Sequence, residues 1–154
     1  MNEKTLKKFM AIQRKLAKEK GAFKLFALIQ LEEVPGRWDV VMSCQNLPEK
    51  DMPTLRYVVE KIHAGLTTQE IVQLSRIILL NVEQPFVKAM EQFLERTNNS
   101  KEIFNCEIDE LMIKKAYIIV SPVKKEKATV NISAKTLNDL INRIQKLESA
   151  TASG

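Results

Sequence analysis

The chain has 154 residues, of which 45% are hydrophobic and 28% charged, and these proportions fit one globular domain with a single core. No apolar run approaches the roughly 20 residues that span a bilayer, and the basic N-terminus lacks the apolar stretch and cleavage site of a signal peptide. With two separated cysteines and one histidine, the composition also excludes a structural zinc centre. We therefore expect a cytoplasmic protein with no membrane partner, no bound metal and no cofactor, folded over residues 1–148 with a flexible tail at 149–154.

The whole net charge of +5 lies in the first predicted helix. Residues 3–20 hold seven basic and two acidic side chains, a difference of +5, so the remainder of the chain is neutral. Leu6, Phe9 and Leu16 recur at helical spacing, and Gly21 is a typical helix end. Lysine and arginine contacts to phosphates give sequence-independent affinity for nucleic acid, which predicts weak, salt-sensitive binding. The candidate nucleic-acid-binding residues are Lys4, Lys7, Lys8, Arg14, Lys15 and Lys18.

A strand hairpin is predicted directly after this helix. Residues 22–33 are rich in aromatic and aliphatic side chains, and residues 38–43 continue in the same way after a turn. Pro35 and Gly36 suit the two central positions of a type II turn, because proline fixes the first φ and glycine accepts a positive second φ. The single tryptophan opens the return strand and is expected in the core.

The central part of the chain is predicted to form two helices followed by a strand. Asp51 can cap the first helix, and Thr67 with Glu70 matches the capping box of the second. Residues 76–82, RIILLNV, are a short apolar run with β-branched members, which predicts a strand buried on both faces; a continuing helix is the alternative. A right-handed crossover would make this strand parallel to residues 38–44.

The last third repeats the pattern of helix and strands. Pro85 begins a third main helix, residues 103–109 alternate in polarity, and residues 116–123 form a more buried strand. The alternation places Phe104, Cys106 and Ile108 on the apolar side of the first of these strands. A final amphipathic helix is predicted after Ser133 or Thr136.

The order of these elements predicts an α+β or α/β fold, a single-domain mixed β-sheet of about five strands with helices packed on it. The chain also divides into two halves that each contain a helix, a hairpin and a helix. In these halves Val40 and Ile118 begin similar apolar runs that end in Ser43 and Ser121. This similarity indicates an α-β-β-α pseudo-repeat.

Uncharged polar side chains follow two strands that are predicted to be parallel. Ligands of open α/β sheets bind beyond the carboxyl ends of such strands. The candidate ligand-binding residues are therefore Ser43, Gln45, Asn46 and Asn81. The favoured interpretation is that these residues cap strand ends and begin loops, because polarity alone is a weak signal for a ligand site.

No residue is assigned a catalytic role. A nucleophilic Cys44 would need a neighbouring base, for which His63 is the sole histidine, but a cysteine directly after an apolar strand is more typical of a small buried residue. The spacing of Arg56 and His63 resembles the arginine–histidine pattern of HEPN-type ribonucleases, in which both residues assist attack of the ribose 2′-hydroxyl. Those domains are all-helical, which the predicted hairpin contradicts. An exposed ion pair of Arg56 with Glu60 beside a boundary histidine is the favoured interpretation.

The sequence lacks the phosphate-binding glycine loops, the nucleophile elbow and the HExxH motif that mark common enzyme classes. We therefore expect a non-enzymatic intracellular protein-interaction module, an oligomeric subunit or adaptor that binds a protein partner or itself. The first alternative is a nucleic-acid-binding protein that uses the basic first helix. The second is a small, ribonuclease-like enzyme with a site near His63 or at residues 43–46.

Overall fold

The computed structural model describes residues 1–47 and 51–123, which form four helices and five strands. The final helix predicted after Ser133 or Thr136 and the tail at 149–154 lie outside the described residues. The elements are α1 (Glu3–Lys20), β1 (Phe23–Leu31), β2 (Trp38–Cys44), α2 (Met52–Ala64), α3 (Thr68–Ile71), β3 (Leu74–Leu80), α4 (Pro85–Arg96), β4 (Glu102–Ile108) and β5 (Leu111–Val120).

The five strands form one mixed sheet in the order β3-β2-β1-β5-β4. β1 pairs antiparallel with both β2 and β5, β4 pairs antiparallel with β5, and β3 pairs parallel with β2. Since β2 and β5 both run against β1, they point in the same direction. The fold is of the α+β class, with helices packed on a five-stranded mixed sheet, as predicted.

Helices cover both faces of this sheet and create two apolar cores. α1 and α2 pack on one face, where Phe9 and Leu16 of α1 meet Phe26 and Trp38. α4 packs on the other face, where Met90 and Leu94 are fully buried. The two-sided cover explains the sequence of β1, which lies at the centre of the sheet and is apolar on both faces.

Helix caps and turns fall where the sequence predicts them. Gly21 ends α1 with φ of 102°, Asp51 accepts a hydrogen bond from the Thr54 amide, and Thr67 with Glu70 forms a complete capping box. Gly36 has φ of 85°, as a type II turn requires of its second central residue. Local chemistry therefore fixes the bounds of these elements within one or two residues.

β3 corrects one prediction about the strand at residues 76–82. A strand forms there, but it is an edge strand rather than one buried on both faces. Leu79 is buried, whereas Ile77 and Ile78 are half-buried and Ser75 and Arg76 are exposed. An edge strand has one neighbour, so its side chains gain cover from one side only.

The alternation predicted for residues 103–109 is wrong for Phe104, which is 53% exposed, while Ile103 and Ile108 are buried. Asn105 has φ of 45°, and this left-handed residue interrupts the regular alternation of side chains along β4. Asp109 and Glu110 also have positive φ and make the tight turn into β5, which begins earlier than predicted.

The α-β-β-α pseudo-repeat is not confirmed. The hairpins β1–β2 and β4–β5 are each preceded by a helix, as the pattern requires. However, α1 and α4 lie on opposite faces of the sheet, so a simple shift along the sheet does not relate the two halves.

Candidate functional site

The candidate ligand-binding residues lie at one end of the sheet, where the carboxyl ends of β2, β3 and β5 meet. Ser43 of β2 pairs with Leu80 of β3, and Asn81 follows directly. Asn46 Nδ2 donates to the Lys20 carbonyl oxygen at 2.7 Å, and Asn81 Oδ1 accepts from the Glu83 amide at 2.8 Å. Asn46 thus terminates α1, and Asn81 begins the loop into α4. Gln45 is exposed beside them.

Ser43 and Cys44 are both buried at this end but differ in their contacts. Ser43 is fully buried, and its Oγ has no hydrogen-bond partner among the described residues. Cys44 is 3% exposed, and its Sγ lies 3.5–3.9 Å from the carbonyl oxygens of Lys20, Gly21 and Ala22. The thiol therefore packs against the carbonyl oxygens at the end of α1. Cys44 is a small buried residue, as its place after an apolar strand predicts.

The cations of α1 divide into an exposed row and a paired residue. Lys4, Arg14, Lys15 and Lys18 are exposed and form no ion pair with the described part of the chain, and Lys7 is in an exposed pair with Glu3. Lys8 differs, because its Nζ lies 2.9 Å from Glu70 Oε1. Lys4 to Lys18 spans about 21 Å at 1.5 Å per helical residue. Five of the six candidate nucleic-acid-binding residues are thus available to solvent.

A groove between α1 and α2 extends this basic surface. A cavity of about 210 Å³ is lined by Lys8, Lys15 and Lys61 together with small or apolar residues. At its margin Glu19 accepts a hydrogen bond from the Tyr57 hydroxyl and pairs with Lys61. The hydrogen bond to Glu19 raises the pKa of Tyr57 to about 12 and, from the other side, lowers the pKa of Glu19. Local pairing therefore offsets part of the charge of this groove.

Glu70 is the one buried carboxylate that joins α3 to α1 among the described residues. It is 8% exposed; Oε2 accepts from Thr5 Oγ1 at 2.8 Å, and Oε1 accepts from the Thr67 amide at 2.8 Å and from Lys8. The hydrogen bond from the Thr67 amide and those from Lys8 and Thr5 lower the pKa of Glu70 to about 2. With every oxygen engaged, this carboxylate is a structural anchor. The capping-box pattern predicted its contact with Thr67, but nothing in the sequence indicated Thr5 or Lys8 as its partners.

His63 and Arg56 do not form a catalytic arrangement with Cys44. His63 is exposed and lines a cavity of about 250 Å³ beside β3, while the Cys44 sulfur faces the end of α1, and no hydrogen bond joins the two. Arg56 is exposed, and the ion pair predicted between Arg56 and Glu60 is not formed. No group of three or more acidic, histidine or cysteine side chains in the described ranges could hold a metal ion.

The two edges of the sheet differ sharply in chemistry. The edge strand β4 carries Glu102 and Glu107, and Asn105 breaks its regular backbone. The other edge, β3, has the sequence LSRIILL, with five aliphatic residues out of seven. Charges and irregular backbone are the usual protection of an edge strand against pairing with another chain. β4 has this protection, and the regular part of β3 has a single charged residue.

That single charge, Arg76, is neutralised within the chain. Arg76 Nη2 donates to Asp39 Oδ2 of β2 at 2.7 Å, and the Asp39 side chain is 7% exposed. The hydrogen bond with Asp39 raises the pKa of Arg76. The pair borders an apolar cavity of about 120 Å³ on the α4 face of the sheet. Its other lining residues are Ile29, Leu31, Val41, Ile78, Leu80, Phe86 and Leu111.

The sequence of β3 gives only half of the signal for a docking edge. Its apolar run is typical of a central strand, and such a run at the edge of a sheet indicates a missing neighbour. The edge position is known only from the strand order, which the sequence alone does not supply.

Comparisons with known proteins return no match: no family model, no curated protein and no solved structure is significantly similar to this chain. None of the helices in residues 1–47 and 51–123 has the length and apolar character to traverse a bilayer.

Proposed function

We propose that this protein is a non-enzymatic protein-interaction module and that its docking surface is the outer edge of β3, beside which the described part of the chain places no further strand. The observation that carries the proposal is the contrast between the two sheet edges. β4 is charged and kinked, whereas β3 presents an aliphatic strand whose one charge is already paired with Asp39.

An open edge offers a row of backbone amides and carbonyls that can bond to a further strand. Main-chain hydrogen bonds then supply affinity, and side chains on the two faces supply specificity. On β3 those side chains are Ile77 on the α2 face and Ile78 and Leu80 on the α4 face, all half-buried. A strand added at this edge would complete their burial and give β3 the two neighbours that its sequence pattern predicts.

Edge variants test the proposal. Ile78→Lys places a charge on the edge, and Ser75→Lys does so at an exposed position where folding is not at risk. Met52→Lys is the matched control, since Met52 is 64% exposed and belongs to α2 rather than to β3. We expect the two edge variants to lose the complexes that the wild type and Met52→Lys form, as measured by light scattering and by mass spectrometry of co-purified proteins. The circular dichroism spectrum of Ser75→Lys should match that of the wild type. Identical complexes for all four proteins, or none for the wild type, would contradict the proposal.

A second candidate function, nucleic-acid binding, is favoured by the exposed row of cations on α1. Lys4, Lys7, Arg14, Lys15 and Lys18 face solvent along one helix, a geometry suited to a phosphate backbone. No row of exposed aromatic side chains accompanies them on α1, so base stacking adds nothing there. Fluorescence anisotropy with labelled DNA and RNA at two salt concentrations tests this function. Binding that is weak and lost with added salt fits the row of cations, while no binding at low salt excludes it.

A further inference from the structure

Resting on the proposed function of the β3 edge, we infer that its partner is a second copy of this chain. In this dimer β3 pairs antiparallel with β3 of the copy, about a two-fold axis that passes beside Ile78 and is normal to the sheet. The two five-stranded sheets then join into one continuous sheet.

Symmetry limits the registers of such a pair. A two-fold axis normal to the sheet keeps each face on its own side, so a residue on the axis must lie opposite the same residue of the copy. Directly opposite residues of antiparallel strands share a face, and a register one residue out of step would join opposite faces. The permitted centres are therefore single residues of β3.

The regular part of β3 indicates which residue lies beside the two-fold axis. The pairing with β2 shifts register between Trp38 and Asp39, where Trp38 pairs with Leu74 and Asp39 with Arg76, and it is regular from Arg76 to Leu80. Full overlap of this five-residue segment with its copy places Ile78 opposite Ile78. It also places Ile77 opposite Leu79, and Arg76 opposite Leu80.

The side chains that meet in this register are compatible. On the α2 face, Ile77 meets Leu79 of the copy, and both are aliphatic. On the α4 face, Ile78 meets its own copy between two Arg76 side chains, each of which is held by Asp39 of its own chain. Pairs of β-branched or aliphatic residues across strands are stabilising, and no unpaired like charges face each other.

The same features favour a copy over a different protein. An edge that selects a different partner by charge needs an unpaired charge, and the one charged residue of β3 is already neutralised by Asp39. A neutral, aliphatic edge is complementary to another neutral, aliphatic edge, and an isologous contact closes after two subunits, so it does not propagate into a filament.

Disulfide trapping tests the register directly. In a Cys106→Ser background, where Cys44 is retained because it is buried, Ile78→Cys puts two thiols at opposite Cβ positions about 5 Å apart. Leu80→Cys is the matched control on the same face, because its copy lies four residues away, about 13 Å along the strand, which is too far for a disulfide. We expect mild oxidation to convert most of the Ile78→Cys chains to covalent dimers and to leave Leu80→Cys monomeric on a denaturing gel.

Light scattering on the unmodified chain gives a second readout that no folding defect can affect. We expect twice the 17.6 kDa mass of the chain for the wild type and the monomer mass for Ile78→Lys, which would place two lysines opposite each other at the axis. A wild type that stays monomeric up to millimolar concentration overturns this inference, as does trapping at Leu80→Cys without trapping at Ile78→Cys. If the wild type is monomeric but Ser75→Lys loses a different protein partner, the dimer fails and the interaction module stands. If no edge variant changes any association, both fail.

Discussion

Arg76 and Asp39 form a hydrogen-bonded ion pair that joins the edge strand β3 to β2, with Arg76 Nη2 2.7 Å from Asp39 Oδ2. Arg76 Nε also donates to Asp39 Oδ1, at 3.3 Å, so the contact is bidentate. The Asp39 side chain is 7% exposed and that of Arg76 is 58% exposed. Arg76 thus keeps a buried carboxylate in a hydrogen-bonded environment while its own outer surface stays in solvent, and β3 is left without a free charge.

Replacing Arg76 should destabilise the fold more than an ordinary surface change. Arg76→Met keeps most of the apolar length of the side chain but leaves the Asp39 carboxylate without a hydrogen-bond donor. Hydrogen bonds to charged groups contribute about 1.5–3 kcal/mol, and the exposure of Arg76 places the expected loss near the lower value, at about 1.5 kcal/mol. Urea unfolding followed by circular dichroism measures this difference in the free energy of unfolding.

Arg37→Met is the matched control, because Arg37 is an exposed arginine in the loop before β2. A change within about 0.5 kcal/mol is expected there. Equal losses for the two variants would show that the pair with Asp39 does not contribute to stability.

The pKa of Glu70 predicts a specific dependence of stability on pH. This pKa is lowered from 4.5 to about 2, chiefly by the Thr67 amide. Because the folded state favours the ionised form, the stabilisation is complete above pH 4.5 and is lost as the pH falls towards 2. Glu70→Gln removes the charge, so its melting temperature should lie below that of the wild type at pH 7 and approach it in acid.

Glu3→Gln provides the comparison for this pH series, since Glu3 is also on a helix but is exposed in a surface pair with Lys7. Its melting temperature should follow that of the wild type at every pH from 2 to 7. If the melting temperature of Glu70→Gln differs from that of the wild type by the same amount at every pH in this range, the buried network does not favour the ionised carboxylate.

Elements fixed by local chemistry are predictable from the sequence, and those fixed by strand order are not. Gly21 and the Thr67–Glu70 capping box mark helix ends through contacts within a few residues. The partial exposure of Ile78 depends instead on which strand lies beside β3, a contact between distant parts of the chain. The sequence predicts Phe104 on the apolar side of β4, but the left-handed Asn105 interrupts the alternation, and asparagine in a strand does not by itself indicate a left-handed residue.

The residues of the candidate site are likewise predictable in part only. The sequence predicts the parallel pairing of β2 with β3, and this pairing brings Ser43 and Asn81 to one end of the sheet. The sequence did not reveal that Asn46 would bond to Lys20, or that Lys8 would be held by Glu70, because both contacts join residues far apart in the chain. The position of β3 at an edge of the sheet that the described residues form depends on the strand order, which the sequence does not supply.

A side chain at Gly21 should destabilise the fold, for two separate reasons. Its φ of 102° with ψ of 172° lies in a region that only glycine adopts readily, and a Cβ there would lie 2.8 Å from Asn46 Nδ2. Gly21→Ala should therefore lose about 2–3 kcal/mol in the free energy of unfolding, measured by urea titration. Gly36→Ala meets the same backbone strain in open space and should lose only about 1–2 kcal/mol.

The contribution of the Asn46 contact can be separated from the strain. Asn46→Ala alone should cost about 1 kcal/mol through the lost hydrogen bond to Lys20. In the Gly21→Ala background the same change should cost less, because the new Cβ has already displaced the amide. Strictly additive losses would show that the contact between the two positions has no energetic effect.

Ser43→Ala should leave the protein equally or more stable. Ser43 is fully buried, and its Oγ has no hydrogen-bond partner among the described residues, so the hydroxyl carries a desolvation penalty that alanine removes. The expected gain is about 1 kcal/mol in the free energy of unfolding. If Ser43→Ala instead lowers the free energy of unfolding by a similar amount, the hydroxyl has a hydrogen-bond partner in solution, either water or a bound group. That result would support a ligand site at this end of β2.

Binding of nucleic acid, if α1 provides it, should depend on the position of the cations and not on net charge alone. Lys4, Arg14 and Lys18 are exposed on α1 and form no ion pair with any described residue, so changing all three to glutamine removes three phosphate contacts. The slope of the logarithm of the binding constant against the logarithm of salt concentration should then become shallower by about 2–3 for duplex DNA. Anisotropy titrations at several salt concentrations measure this slope.

The control is a triple glutamine variant at three exposed lysines outside α1, which changes the net charge by the same amount. The three positions are Lys88, Lys101 and Lys114. Because the row on α1 concentrates positive charge along about 21 Å of one helix, the control should bind almost as the wild type does. If both triple variants weaken binding equally, the attraction comes from the overall charge of +5, and α1 is not a specific nucleic-acid surface.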